Sequence, residues 1–234
     1  MGDVVTAISP PDEWLDRLAT LIGAAPVNLV SASDRHDVRH RHLEECVLVA
    51  RQLQLSVGAR WMDLGTGGGL PGLVLAAAFP SVWWTLIDAR AKKIAQVDAF
   101  ASTLGLRNVQ TCHARAEHLW SQKHGYVGFD GVISRAVASL ERTAALSRPF
   151  ITNGEIIAIR GADAPAQARA LDRLTDELGL TVHDVQSIDG TIRPTWLIRM
   201  RGHGPPPPGF SKIRRRLLRP RLDPSRGGTR DDSP

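Results

Sequence analysis

Glycines are concentrated in one short segment of the sequence, WMDLGTGGGLPG at residues 61–72. An apolar run reaches Asp63 in this segment and is followed by five glycines. Glycine lets a backbone turn sharply and approach a ligand closely. The spacing Gly67-x-Gly69-x-x-Gly72 matches the pattern of dinucleotide-binding loops, although that pattern alone is weak evidence. The segment therefore predicts a ligand-binding turn and leaves the ligand open.

Asp63 favours a cationic ligand over a dinucleotide. The pattern Asp63-x-Gly65-x-Gly67-x-Gly69 places a carboxylate at a strand end beside the glycine turn. A diphosphate would be repelled, because two like charges about 4 Å apart cost several kcal/mol at partial burial. S-adenosylmethionine carries a sulfonium and an ammonium group instead. Asp88, at the end of the next predicted strand, suits the ribose of either ligand and argues against a merely structural turn.

Two further positions lie along the same predicted sheet edge. Ala116 and Glu117 follow the third strand and could read an adenine ring, although Glu117 is equally well explained as a helix-start acid. Arg135 ends the fourth strand, where methyl donor and acceptor should meet. Its planar fork of donors suits guanine O6 or a phosphate, or the donor itself. A surface salt bridge is the alternative explanation for Arg135.

The segment after the fourth strand, ISRAVASL, excludes two acceptor chemistries. It lacks the Asn/Asp-Pro-Pro-aromatic loop common in enzymes that methylate exocyclic amines. Neither Cys46 nor Cys112 is placed to attack a pyrimidine carbon. Guanine N7 is already nucleophilic, so its methylation needs alignment more than acid–base help.

Strands alternate with helices from about residue 59, which predicts an α/β fold with a mostly parallel sheet and helices on both faces. The segments TVHDVQSID and TWLIRMR predict an antiparallel closing pair. We therefore expect a helical extension at residues 1–58, a ligand-binding domain at 59–202 and a Pro/Arg-rich basic tail at 203–234. The tail has little to bury and is predicted to be largely disordered.

Positive charge is concentrated in that tail. Eight Lys/Arg and three Asp follow position 202, which accounts for the net charge of +5. Such a segment can neutralise phosphates without reading sequence, or it can simply keep the protein soluble. We favour RNA binding by Lys212, Arg214, Arg215 and Arg216.

Other features of the sequence predict an ordinary cytoplasmic protein. No apolar run approaches the roughly 18–20 residues of a membrane span. Two cysteines suit a reducing compartment. His36, His40 and His42 lack a third ligand at a typical spacing, so we predict no metal and favour a solvated or RNA-facing helix surface. Nothing in the sequence demands more than a monomer.

From about Asn28 to Arg201 the sequence resembles bacterial small-subunit (16S) ribosomal RNA guanine-N7 methyltransferases of the GidB/RsmG type. The resemblance is carried by NLVS, RHLEEC, DLGTGGGLPG, IDARAKK, RAE and FDGVISRAVASL, in that order. It implies a Rossmann-like class I S-adenosylmethionine-dependent methyltransferase fold. It also implies S-adenosylmethionine as cofactor and 16S ribosomal RNA or the small ribosomal subunit as partner.

The resemblance also implies roles for individual residues. The expected donor contacts are Gly65, Leu70, Asp88, Ala116 and Glu117, with Arg135 at the active site and Arg193 near the RNA. Three departures are visible: Val30 replaces a usual threonine, the usual tryptophan-containing segment before it is not recognisable, and Glu44-Glu45-Cys46 replaces a usual Leu-Asp-Ser.

Three alternatives remain open. A methyltransferase of the same fold could act on another RNA or on a small molecule, because function lies in the site rather than in the fold. A nicotinamide-dependent reductase is disfavoured by Asp63 and by the lack of a second substrate domain. A non-catalytic RNA-binding protein is disfavoured by the intact donor loop.

Overall fold

The computed structural model describes residues 3–121, 128–135 and 137–219. The distal part of the predicted basic tail, residues 220–234, lies outside the described residues. Within the described ranges, the chain forms a large sheet covered by helices and a small two-stranded sheet.

The large sheet has seven strands in the order β5-β4-β3-β6-β7-β9-β8. The chain leaves β3 for β4 on one side and returns to β6 on the other, so the sheet order reverses between β3 and β6. The closing pair β8 and β9 is antiparallel, and β9 also pairs antiparallel with β7. The remaining neighbours are parallel, so the predicted mostly parallel sheet with its closing pair is confirmed. The strands are β1 Val4–Thr6, β2 Gln54–Ser56, β3 Arg60–Leu64, β4 Trp83–Asp88, β5 Val109–His113, β6 Phe129–Arg135, β7 Ile151–Arg160, β8 Leu180–Ile188 and β9 Thr195–Gly202.

Helices cover both faces of this sheet and bury two separate apolar clusters against it. The first four helices belong to one face and the later ones to the other. A π-helical turn, Arg39–Leu43, precedes α2 directly. The helices are α1 Asp12–Gly23, α2 Glu44–Arg51, α3 Gly72–Ala78, α4 Ala91–Thr103, α5 Ala116–Ser121, α6 Leu140–Ser147, α7 Ala164–Leu171, α8 Thr175–Leu178 and α9 Phe210–Leu218.

The N-terminal region is part of the main core. Leu18 of α1 and Leu43 of the π turn are fully buried in the same cluster as Leu73 of α3 and Trp84 of β4. In addition, β1 and β2 pair antiparallel, which the sequence pattern did not predict. The boundary placed at residue 58 therefore does not separate two cores.

The prediction of a disordered tail is wrong for residues 203–219. The helix α9 packs on α6 and buries Phe210 and Ile213, while Leu217 is half-buried. These apolar residues recur at positions i, i+3 and i+7, which is the spacing of one helix face. The average composition of the tail, rich in Pro, Gly and Arg, concealed this short amphipathic segment.

One buried cation fixes the chain between β9 and α9. Arg148 is completely buried and donates hydrogen bonds to the carbonyl oxygens of Leu178, Ile151 and Gly204 at 2.9, 2.9 and 2.8 Å. Burial lowers the pKa of its guanidinium group. Hydrogen bonds to the carbonyl oxygens of three separate segments thus stabilise the buried charge of this side chain.

Candidate active site

A crevice opens at the carboxyl ends of β3, β4 and β6, where the order of the sheet reverses. Such switch points are where open α/β sheets bind their ligands. The crevice comprises a cavity of about 870 Å³ and an adjoining one of about 220 Å³. The two cavities share the walls formed by Gly65, Asp88 and Val137.

The glycine loop brings the backbone to the floor of this crevice. Gly65 has φ +74°, and a Cβ atom there would lie 2.3 Å from Cγ2 of Val137. Gly67 and Leu70, two loop residues that were predicted to contact the ligand, line the larger cavity. A side chain at position 65 would therefore fill the junction of the two cavities.

Asp63 lies beneath the loop and does not line the crevice. Its side chain is fully buried, and its Oδ2 accepts hydrogen bonds from the Thr66 hydroxyl at 2.6 Å and the Gly72 amide at 2.9 Å. Burial raises the pKa of this carboxyl group to about 6. We expected Asp63 to face the ligand, and the structure corrects this, because its hydrogen bonds hold the two ends of the loop together.

Gly69 is a second correction of the same kind. It is absent from the residues lining either cavity, and its amide donates to the carbonyl oxygen of Thr66 at 2.9 Å. With φ +88°, it turns the loop toward α3. Its role is to shape the loop.

Asp88 lies at the wall that both cavities share, and its carboxylate is held by two backbone amides. Gly67 donates to Oδ2 at 3.0 Å and Arg90 donates to Oδ1 at 2.8 Å. Each carboxylate oxygen has a further lone pair. Asp88 is thus arranged to accept hydrogen bonds from two neighbouring hydroxyl groups.

The smaller cavity has apolar walls and a polar rim. Leu64, Ile87 and Leu146 line it together with the predicted pair Ala116 and Glu117. A flat aromatic ring such as adenine suits such a slot. The Glu117 carbonyl oxygen also accepts a hydrogen bond from Nη2 of Arg214 at 3.3 Å, which connects α9 to this end of the crevice.

Arg135 lies in the larger cavity beside two side chains from the N-terminal region. Its Nη1 donates to Nδ1 of His42 at 3.3 Å and lies 3.7 Å from Oε1 of Glu45. Burial, followed by the charge of Arg135, lowers the pKa of His42, and burial raises the pKa of Glu45. All three side chains line the larger cavity.

Behind Arg135, His42 and Glu45, the buried carboxylate of Asp34 holds together the segments that form the outer wall of the larger cavity. Asp34 accepts hydrogen bonds from Arg193 at 3.1 Å and Arg41 at 3.0 Å, and its Oδ2 lies 3.2 Å from Nε2 of His42. A hydrogen bond from the Ser31 side chain and the nearby Arg193 hold the pKa of Asp34 at about 2. Arg193, predicted near RNA, therefore lines the cavity and connects the β8–β9 loop to the N-terminal segment.

Three functional residues were missed or misread in the sequence. Asp34 was not singled out as a functional residue in the sequence, and His42 was assigned to a solvated or RNA-facing helix surface. Glu45 was noted only as a departure from the family pattern. The spacing of His42 and Glu45, three apart on a helical segment, was the available signal that they share a face.

Residues 3–121, 128–135 and 137–219 contain neither a metal centre nor a helix that could span a membrane. No group of three His, Cys, Asp or Glu there is arranged to hold a metal ion. Over the same described part of the chain, no helix combines the length and apolar character that crossing a membrane requires.

The four basic residues predicted to bind RNA all lie on α9. Lys212, Arg215 and Arg216 are exposed, whereas Arg214 is half-buried beside the smaller cavity. Arg219, directly after α9, is also exposed and extends the row at the spacing 212, 215, 216 and 219. That spacing places the four exposed residues on one side of the helix, which we name the basic stripe.

The crevice fits S-adenosylmethionine on three observations. The Asp88 carboxylate is fixed for a diol, the small cavity is a slot for a ring, and the glycine loop keeps side chains out of the junction between them. Asp63 also retains a buried Oδ1 without a hydrogen-bond partner among the described residues, so the loop carries an uncompensated acceptor close to the ligand floor.

Comparisons with known proteins agree with this geometry. The chain is 41% identical over 150 residues to the ribosomal RNA small subunit methyltransferase G of Chlorobaculum tepidum, covering 63% of this chain and 67% of that protein. It is 30% identical over 189 residues to the enzyme of the same name from Moorella thermoacetica, covering 80% of this chain and 79% of that protein.

Solved structures confirm the predicted fold. The chain superposes on magnesium protoporphyrin IX methyltransferase from Synechocystis PCC 6803 with bound S-adenosylmethionine, with a TM-score of 0.54. That match covers 82% of this chain and 92% of the other at 15% identity, which shows the class I methyltransferase fold alone. A family model described as GidB, rRNA small subunit methyltransferase G, matches residues 14–195, so the chain belongs to the GidB family.

Proposed function

We propose that this protein transfers a methyl group from S-adenosylmethionine to N7 of one guanine in 16S ribosomal RNA. The observation that carries the proposal is the position of Arg135, which shares one cavity with the glycine loop and Asp88. Membership of the GidB family supports ribosomal RNA as the acceptor.

The reaction needs little from the protein beyond alignment. S-adenosylmethionine supplies a methyl group on a sulfonium centre. Guanine N7 offers an in-plane lone pair with no proton to remove, so in-line displacement is favoured by holding the two reactants at the correct distance. Asp88 and the slot at Ala116 and Glu117 would hold the donor. Arg135 would donate to guanine O6, which adjoins N7.

RNA outside the crevice would be held by phosphate contacts. We assign these to the basic stripe of α9 and to Arg193 at the cavity rim. Arg214 connects α9 to the adenine end of the crevice, so RNA bound along the stripe would lie beside the donor site. Because ribosomal RNA is the proposed acceptor, we expect the protein to act in the cytoplasm, and we propose that it acts as a monomer.

The first test is methyl transfer with mapping of the product. Purified protein is incubated with methyl-labelled S-adenosylmethionine and small subunits from bacteria that lack the modification, and the label is located by N7-specific strand scission. We expect a single labelled guanine. Label on an exocyclic amine or on a ribose would contradict the proposed acceptor atom, and label on small molecules alone would contradict the RNA substrate.

A matched pair of variants connects the activity to the donor site. Asp88→Asn should weaken S-adenosylmethionine binding by roughly 10- to 100-fold, because a charge-assisted hydrogen bond contributes about 1.5–3 kcal/mol. Asp98→Asn, a change of the same charge at an exposed position on α4, should bind the donor like the wild type. Equal affinities in calorimetry would remove Asp88 from the donor site.

A further inference from the structure

Glu45 and Arg135 present an acceptor and a donor side by side in the larger cavity. The two charged groups lie 3.7 Å apart, beyond hydrogen-bonding distance, and their side chains are 16% and 19% exposed. They approach from different parts of the fold, Glu45 from α2 and Arg135 from the end of β6. A ligand edge with neighbouring complementary groups could therefore engage both.

Guanine has such an edge. Its O6 acceptor adjoins N1–H and the N2 amine, which are both donors. Adenine presents the reverse order, a donor amine at C6 beside an acceptor at N1. Arginine is the preferred side chain for guanine O6, and a carboxylate accepts two hydrogen bonds at once. Arg135 and Glu45 thus match guanine and mismatch adenine at both positions.

The orientation that satisfies this match also suits methylation at N7. O6 lies between N7 and N1 on the purine ring. With Arg135 on O6 and the carboxylate beyond it on N1–H, N7 is on the opposite side of O6 from Glu45. The glycine loop and Asp88 line the same cavity as this pair, so the free nitrogen can face the donor.

We propose that Glu45 selects guanine as the acceptor base by accepting hydrogen bonds from its N1–H and N2 amine. This inference rests on the proposed function, because it assigns the base recognition of the same site. His42, held between Asp34 and Arg135, keeps the Arg135 guanidinium in place from the other side.

A purely positioning role for Glu45 makes a different prediction. If Glu45 only orients Arg135, then its removal lowers methylation of every purine that carries O6 by the same factor. Hypoxanthine separates the two roles, because it has O6, N1–H and N7 and lacks only the N2 amine.

The experiment compares guanine and hypoxanthine at the mapped position of otherwise identical small-subunit RNA, assembled into subunits. The wild type should prefer guanine in kcat/KM by roughly 10- to 100-fold, the value of one charge-assisted hydrogen bond. Glu45→Gln, which is isosteric, should reduce that preference to within about threefold, because its neutral amide lacks the charge and offers one acceptor atom to two donors. Glu45→Asp keeps the carboxylate and should retain most of the preference.

The outcomes are separable. An unchanged guanine preference in Glu45→Gln, or no preference in the wild type, overturns the inference while the methyltransferase activity stands. Loss of S-adenosylmethionine affinity in Glu45→Gln, measured by calorimetry, would assign Glu45 to the donor and also overturn it. Absence of any methyl transfer to guanine by the wild type would overturn the proposed function itself, and the inference with it.

Discussion

At the scale of single residues, the carboxylates around the crevice have opposite electrostatic surroundings. Asp34 is bound by Arg41 and Arg193 and is fully ionised at neutral pH. Asp63 has hydroxyl and amide donors on one oxygen only and no ion pair among the described residues. Asp34 therefore connects the walls of the crevice. Asp63 holds the glycine loop, but ionising its buried carboxyl group lowers the stability of the fold, so its contribution depends on pH.

The burial of the Asp63 carboxyl group predicts that its contribution to the free energy of unfolding depends on pH. Its pKa is raised to about 6, so the folded state binds more protons than the unfolded state between the ordinary aspartate pKa and pH 6. Stability therefore falls as pH rises through this window, by about 3 kcal/mol for two pKa units. The free energy of unfolding of the wild type relative to Asp63→Asn, measured in urea without donor, should be about 2.5 kcal/mol lower at pH 8 than at pH 4, since the unfolded-state carboxyl group is already partly ionised at pH 4. A difference independent of pH would show that the Asp63 carboxyl group is not perturbed in this way.

At the scale of elements, α9 joins a core contact to a charged surface. Phe210 and Ile213 anchor it on α6, and the basic stripe faces outward. One cation of the stripe, Arg216, has a carboxylate nearby, Glu177 at 3.5 Å, with both side chains exposed. Exposed pairs of this kind contribute little to stability, so the stripe can change partners.

The stripe makes a prediction about the salt dependence of RNA binding. Replacing Lys212, Arg215, Arg216 and Arg219 with Gln should reduce the slope of log affinity against log salt by roughly 3, since each phosphate contact contributes about 0.7–0.9. Donor affinity should be unchanged because no stripe residue lines the crevice. Replacing four exposed arginines elsewhere, Arg17, Arg107, Arg169 and Arg173, gives the same change in net charge. If both variants reduce the slope equally, RNA does not bind at α9.

At the scale of the whole molecule, the wall opposite the glycine loop is built by the N-terminal region. His42 and Glu45 reach the crevice from segments that share a buried cluster with α3 and β4. The two sides of the site should therefore fold and unfold together.

Leu43, fully buried in the shared core, tests this cooperativity. Leu43→Ala should lower the free energy of unfolding by about 2–5 kcal/mol, as for other buried leucines. Circular dichroism and tryptophan fluorescence, to which the buried Trp61 and Trp84 contribute, should still report one coincident transition. Val57→Ala, at an exposed position, should cost far less. Two separated transitions would show that the N-terminal region unfolds by itself.

The sequence predicted the sheet and the donor loop because both depend on local patterns. Alternation of strands and helices gives the sheet, and the glycines with Asp88 locate the loop. Membership of the GidB family supports a methyltransferase and removes the nicotinamide-dependent reductase as an alternative. The outer wall was not predictable in this way, since Asp34 and Arg193 are 159 positions apart and meet only through packing. The burial of Asp63 was likewise hidden, because a pattern does not show which way a side chain faces.

The buried Arg148 also affects the entropy that the protein would lose on binding RNA. Its hydrogen bonds to the carbonyl oxygens of three segments hold the chain after β9, and α9 follows within a few residues. A disordered arm loses conformational entropy when it binds, which reduces its affinity. The basic stripe is already preorganised by Arg148 and α6, so its phosphate contacts would incur little of that entropic loss.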